Sequence, residues 1–334
     1  MKPFIFISLL VLVSGFCACD SRSGSSSTMK RATGAAYDVI VVMGETSWNS
    51  NAGTAVREEL TSPVPYLPQS ESSMKITYVR PDQFSGFFTY VRNILIVNVD
   101  NTQYTKVTLL REDDKWTSGQ LVVYLNAPDA LSIESYLLEN QRILVNHFTK
   151  EEMKRTANFL RGTYSSTVME KVKEMFGITL YAPSDIKKAK IGDDCLWFSN
   201  DAVTGRMDIF VYSFPYTDNN TFTLDYLVAK RDSFAKKMIP GSFPGSYMST
   251  EKRVVDYQSS TLNDKYCGIL RGLWRMEGGD MMGGPFVSYA RVDEPNQRVI
   301  VTEGFVFEPA KDKRNYIRRL EAALQTTRFP DEQN

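Results

Sequence analysis

Few side chains in this chain of 334 residues combine a reactive type with a spacing that chemistry needs. The one histidine, His147 in ILVNHFTKEEM, is the only imidazole available for base work. A Ser–His–Asp arrangement would have to use it, but no G-x-S-x-G elbow follows a suitable strand. Carboxylates occur in adjacent pairs at Asp113-Asp114 and Asp193-Asp194. Two acids can hydrolyse a glycoside if they face each other across a cleft at about 5–10 Å, whereas both pairs read as turn residues beside strands. The glycine-rich MEGGDMMGGP (276–285) lacks the Gly-Lys-Ser/Thr ending of a phosphate loop and the spacing of G-x-G-x-x-G. It reads as a hairpin tip, with Met281 and Met282 as adaptable contact atoms. Zinc sites need several His or Cys ligands, and the chain does not group them. No catalytic, cofactor-binding or metal-ligating residue is therefore assigned.

The four cysteines carry more information. Cys17 and Cys19 end the run MKPFIFISLLVLVSGF. Lys2 gives that run a positive start, and Phe4–Phe16 is apolar apart from two serines and a glycine. Such a stretch is shorter than the about 20 residues that span a bilayer and fits the apolar core of a secretory signal. Ala18 precedes Cys19, whereas bulky Phe16 precedes Cys17. A small residue before a cysteine is what a bacterial lipoprotein cleavage site requires, so Cys19 is the expected site of lipid attachment. Residues 1–18 are then the signal, and 19–36, rich in Ser, Gly and Ala, a flexible tether. The other two cysteines, Cys195 and Cys267, sit in strand-like runs. Export to an oxidising compartment leaves a disulfide between them open, as it does two buried thiols.

Lys plus Arg and Asp plus Glu are 39 each, so the net charge is zero. That balance argues against a nucleic-acid partner, which rewards clustered positive charge. Hydrophobic residues make up 43%, enough for a substantial core.

The elements that must position everything else fall into two halves, 37–165 and 166–330. In the first, buried strands are expected at 37–43, 75–79 and 93–99, a helix at 51–60, a short helix within PDQFSGFFTYV, and a hairpin from 106–112 and 120–126. A long helical stretch runs from about 131 to 176. In the second half, strands are expected at 195–199, 207–213, 252–258, 265–276, 285–293 and 298–307, the last three as an antiparallel meander. Helices cover 224–238 and 312–326. Strands grouped apart from helices read as α+β, two halves with mainly antiparallel sheets and flanking helices.

Several stretches resemble a known family: VIVVMGETSW (39–48), LPQSE (67–71), FSGFFTYVRNILIVNVD (84–100), FGITLYAPSDIKKAK (176–190) and LWFSND (196–201). Together they look like the domain-of-unknown-function 4837 family, exported lipoproteins of Bacteroidetes type, over nearly the whole mature chain. The order of elements in the second half is also similar to PsbP/Mog1-like domains. The family has no established activity, so the resemblance implies an envelope lipoprotein and carries over no site residue.

The expected role is a non-catalytic binding or assembly module of the cell envelope, held to a membrane through Cys19 and facing the periplasm. Its partner would be an envelope protein or glycan, met at an apolar groove without converging ionisable groups. A carboxylate-dependent hydrolase of envelope glycans, using Asp193 or Asp194, and a structural spacer are the alternatives.

Overall fold

The structure is a computed structural model and describes residues 29–332. The expected signal, Cys19 and most of the expected tether lie outside the described residues. Residues 30–33 do not behave as tether. Ser118 donates to the Lys30 carbonyl, Ala32 to Ser118 and Thr33 to Tyr90, which fastens this strip beside the first sheet.

The first half contains β1 (Asp38–Met43), α1 (Glu45–Trp48), α2 (Asn51–Thr61), β2 (Lys75–Val79), β3 (Asn93–Val99), β4 (Thr108–Asp113), β5 (Leu121–Ala127), α3 (Ala130–Glu139) and α4 (Ile143–Gly162). The strands form one sheet in the order β2-β1-β3-β5-β4. Here the pairing departs from the antiparallel expectation: β1 runs parallel to β2 and β3, β3 runs parallel to β5, and only β4 is antiparallel. For β1 and β2 the physical reason is the connection through α2, which crosses over the sheet and returns the chain in the same direction. Alternate residues of β1 serve both faces. Val39, Val41 and Met43 pack with α2, α3 and α4, while Ile40 and Val42 pack with Phe84, Phe88 and Trp116. PDQFSGFFTYV, expected as a short helix, forms two 3-10 turns, Pro81–Gln83 and Gly86–Tyr90.

The second half contains α5 (Ser166–Phe176), β6 (Lys188–Ile191), β7 (Cys195–Ser199), β8 (Arg206–Pro215), α6 (Leu224–Met238), β9 (Tyr247–Leu262), β10 (Lys265–Glu277), β11 (Gly283–Asp293), β12 (Arg298–Phe307) and α7 (Arg314–Leu324). Its sheet has seven strands in the order β6-β7-β8-β12-β11-β10-β9, every pairing antiparallel. Across both sheets seven of the ten pairings are antiparallel, and the α+β class describes the chain. Helices α5 and α7 cover one face and α6 the other.

The expected helical stretch of 131–176 is three helices. It breaks first at Arg142, whose φ of 65° is left-handed, and again after Gly162, where Ser165 caps α5 by accepting from Val168 N. Edge strand β6 was not expected. Its four residues, KAKI, are exposed, with Lys190 donating to the Met238 carbonyl at 2.7 Å, and a short edge strand carrying lysines discourages edge-to-edge association.

The cysteine question resolves as two free, buried thiols. Cys267 packs on the α5–α7 face of the second sheet and Cys195 on the α6 face. Four strand steps separate β7 from β10, about 19 Å at roughly 4.8 Å per step, far beyond the about 7 Å a disulfide allows. Burial pushes the Cys267 thiol up to about 12.

Candidate functional site

The acids and glycines singled out in the sequence do not come together. Asp113 and Asp114 are exposed at the end of β4, the first pairing with Arg111 and the second accepting from the Gly119 and Gln120 amides in the turn. Asp193 and Asp194 are exposed in the β6–β7 turn. His147 is half-buried on α4, with burial and the Arg111 charge lowering its pKa. The glycine-rich tip joins β10 to β11, and Asp280 pins it by accepting from Ser242 N at 2.8 Å and Ser246 Oγ at 2.9 Å. Met281 there is fully exposed, while Met282 turns inward onto the α6 core.

The structure instead builds a site from residues that carry no motif. Helix α7 lies on the second sheet and packs against α4 of the first half. It covers only part of the sheet face. Beyond its edge a cleft of about 840 Å³ opens between the halves. Strands β9 to β11 form its floor with Gln258, Ser260 and Ile269; α4 forms one wall with Asn146, Thr149 and Met153; the loop Val64–Leu67 closes one end.

Two glutamates hold these walls in place by capping helices that lack a cap of their own. Glu59 on α2 accepts from the Arg142 amide at 2.8 Å and the Leu144 amide at 3.0 Å, at the start of α4. Glu71 accepts from the Lys313 amide at 2.7 Å and the Arg314 amide at 2.8 Å, at the start of α7. A carboxylate there meets both the unsatisfied amides and the positive end of the helix dipole. Since Glu71 belongs to the first half and α7 to the second, this cap joins them. Arg314 and Arg318 extend the junction by donating to the Ser72 and Ser73 carbonyls. The LPQSE stretch is thus a strap between halves. The Arg92-Asn93 step has a similar task within the first half: Arg92 pairs with Glu152 at 3.1 Å and Asn93 donates to the same carboxylate at 2.7 Å, clamping α4 to β3.

The cleft contradicts the expectation of an apolar groove without ionisable groups. Arg142, Lys150, Arg271 and Arg318 line it, with Asp256 and Glu321. Glu321 is held by Arg271 and by the Tyr289 hydroxyl at 2.9 Å. Burial first, then a hydrogen bond to Asp256, raises the Tyr66 pKa. Arg318 is only 4% exposed, and burial brings its pKa down to about 10. The Tyr37 ring lies 4.3 Å beneath its guanidinium. Thr149 Oγ1 is buried in the wall with no hydrogen-bond partner among the described residues. None of these residues was marked in the sequence. The available signal was the spacing of Asn146, Thr149, Lys150 and Met153, which places them on one side of α4.

Fold and cleft together define a two-part α+β protein with a polar site between its parts. The second part, residues 165–326, matches the model of the family described as domain of unknown function DUF4837, and that part belongs to the family. Residues 32–161 match a separate one, domain of unknown function DUF8532. The resemblance therefore divides: the stretches at 176–190 and 196–201 fall in the DUF4837 region, and those at 39–48, 67–71 and 84–100 in the DUF8532 region. No curated protein matches the chain.

Proposed function

We propose that this protein is a lipid-anchored, non-catalytic binding or assembly module of the bacterial cell envelope, facing the periplasm, that holds its ligand in the cleft between its halves. The cleft carries this reading. Its volume of about 840 Å³ lies in the range of ligand sites, about 300–1,000 Å³, and the walls come from both halves. The envelope address rests on the sequence: the apolar run, Ala18 and Cys19. The hydrolase alternative loses its named acids, since Asp193 and Asp194 are exposed in a turn away from the cleft lining.

The anchor is tested by intact mass of membrane-extracted wild type and Cys19→Ala. A chain beginning at acylated Cys19, with the acyl mass lost in the variant, is the expected result. A soluble, unacylated mature chain overturns the address. The binding role is tested by hydrogen exchange on the protein in isolated envelopes and after purification. Extra protection in the envelope sample is expected over 146–153 and 256–262. Identical exchange in both samples contradicts it.

A further inference from the structure

We propose that the ligand of this cleft carries an oxyanion, a carboxylate or phosphate group, seated against Arg318, Arg142 and Lys150. The inference rests on the binding reading above and names the chemistry that reading leaves open.

Four cations and two acids line the cleft, so its formal charge is +2. Pairing leaves that sum unchanged: Glu321 cancels Arg271, and three cations remain against Asp256. Glu321 is taken by Arg271 and Tyr289, and Asp256 interacts with the Tyr66 hydroxyl. The remaining cations have no ion-pair partner among the described residues. The Arg142 guanidinium donates only to neutral oxygens: Ser62 Oγ at 3.1 Å, the Pro63 carbonyl at 3.1 Å and Ser73 Oγ at 3.2 Å, while its backbone amide meets the Glu59 carboxylate. Arg318 donates to the Ser73 carbonyl at 2.9 Å and rests on Tyr37. The Lys150 side chain, on the exposed side of α4, has no hydrogen bond or ion pair among the described residues.

Glu321 attracts Arg318 but makes no ion pair with it, and a buried guanidinium without a paired counter-charge is costly. Arg318 and Arg142 also repel each other, which adds to that cost. An oxyanion entering the cleft would remove the repulsion and meet rigid donors already aimed by the Ser62–Ser73 strap. Bidentate capture of carboxylate or phosphate is what a guanidinium does best. Neutral groups for the rest of such a ligand stand close by: the orphaned Thr149 Oγ1, and the Gln325 amide, held only by long contacts to Met153 Sδ at 3.5 Å and the Tyr289 hydroxyl at 3.4 Å.

The test is thermal unfolding of the full chain, with Cys17 and Cys19 replaced by serine, titrated with sodium phosphate and separately with sodium glutarate. Sodium chloride holds the ionic strength constant. A saturable rise in Tm with one of the two is expected, and which one identifies the source of the oxyanion. Lys150→Gln, an exposed change that leaves the core intact, should weaken the apparent affinity about tenfold, and Arg318→Gln should abolish the rise. Lys252→Gln, on a separate surface, should change nothing. No saturable rise with either anion, or an equal rise in Lys150→Gln and wild type, overturns the inference. In that case cleft protection in envelopes would still leave the binding role intact, with a neutral ligand, so the two failures are distinguishable.

Discussion

Glu71 shows how much of this molecule depends on single carboxylates placed at helix starts. It closes two amides of α7 that no residue of α7 itself can reach. Replacing it with alanine should destabilise the protein by about 1–2 kcal/mol, the usual loss for a helix cap, read as a lower urea midpoint with an unchanged slope. A midpoint equal to wild type would show that water replaces the cap at no cost. The thiols give a second residue-scale prediction. Cys195 and Cys267 are buried, and burial raises both pKa values, so the reactive thiolate is scarce. With Cys17 and Cys19 replaced by serine, an aromatic disulfide reagent should find almost no thiol in the native protein and both in denaturant. One thiol or none in denaturant under non-reducing conditions would contradict the free-thiol assignment. Legibility at this scale was uneven. The expected cleavage context of Cys19 rests on local sequence alone, because signal recognition acts there, and the mass measurement above tests it. The roles of Glu59, Glu71 and Arg318 cannot, because each depends on a partner far along the chain: 242 residues separate Glu71 from Lys313.

At the scale of elements, the strands and helices are mostly where hydrophobic periodicity places them, since burial of a face is a local pattern. Pairing direction is not local. The runs VIVV and ILIV are apolar on both faces, and such runs suit a parallel strand buried on both sides, yet periodicity alone does not say which strand lies beside which. The helix breaks at Arg142 and after Gly162 were hidden for another reason: residues 131–176 keep enough helical spacing to look continuous, and the break at Arg142 is held by the distant Glu59. Helix α7 offers a sharp test of packing. A Cβ at Gly304 on β12 would come within 2.7 Å of Leu320 Cβ. Gly304→Ala should push α7 off the sheet and cost about 1–3 kcal/mol, as overpacking does. It should also raise hydrogen exchange across 314–324. A stability equal to wild type would mean that α7 sits less closely on the sheet than described.

At the scale of the whole molecule, function is argued from the seam between two bodies. Each has its own core, and the seam is made by the Glu71 strap and by α4 against α7. The same elements leave the cleft open, with Arg142, Arg318 and Lys150 making no ion pair among the described residues. No motif announces that cleft, because its lining residues come from six separate stretches of sequence. The most direct measurement is in-cell photocrosslinking with a benzophenone amino acid placed at Asn146, on the cleft wall, and at Val203, 93% exposed and away from the cleft. If the cleft is the working site, Asn146 should give a reproducible crosslinked species that disappears when Arg318 is changed to glutamine, and Val203 should give none. Equal labelling at both positions, or a crosslink at Asn146 that survives the loss of Arg318, would contradict the account.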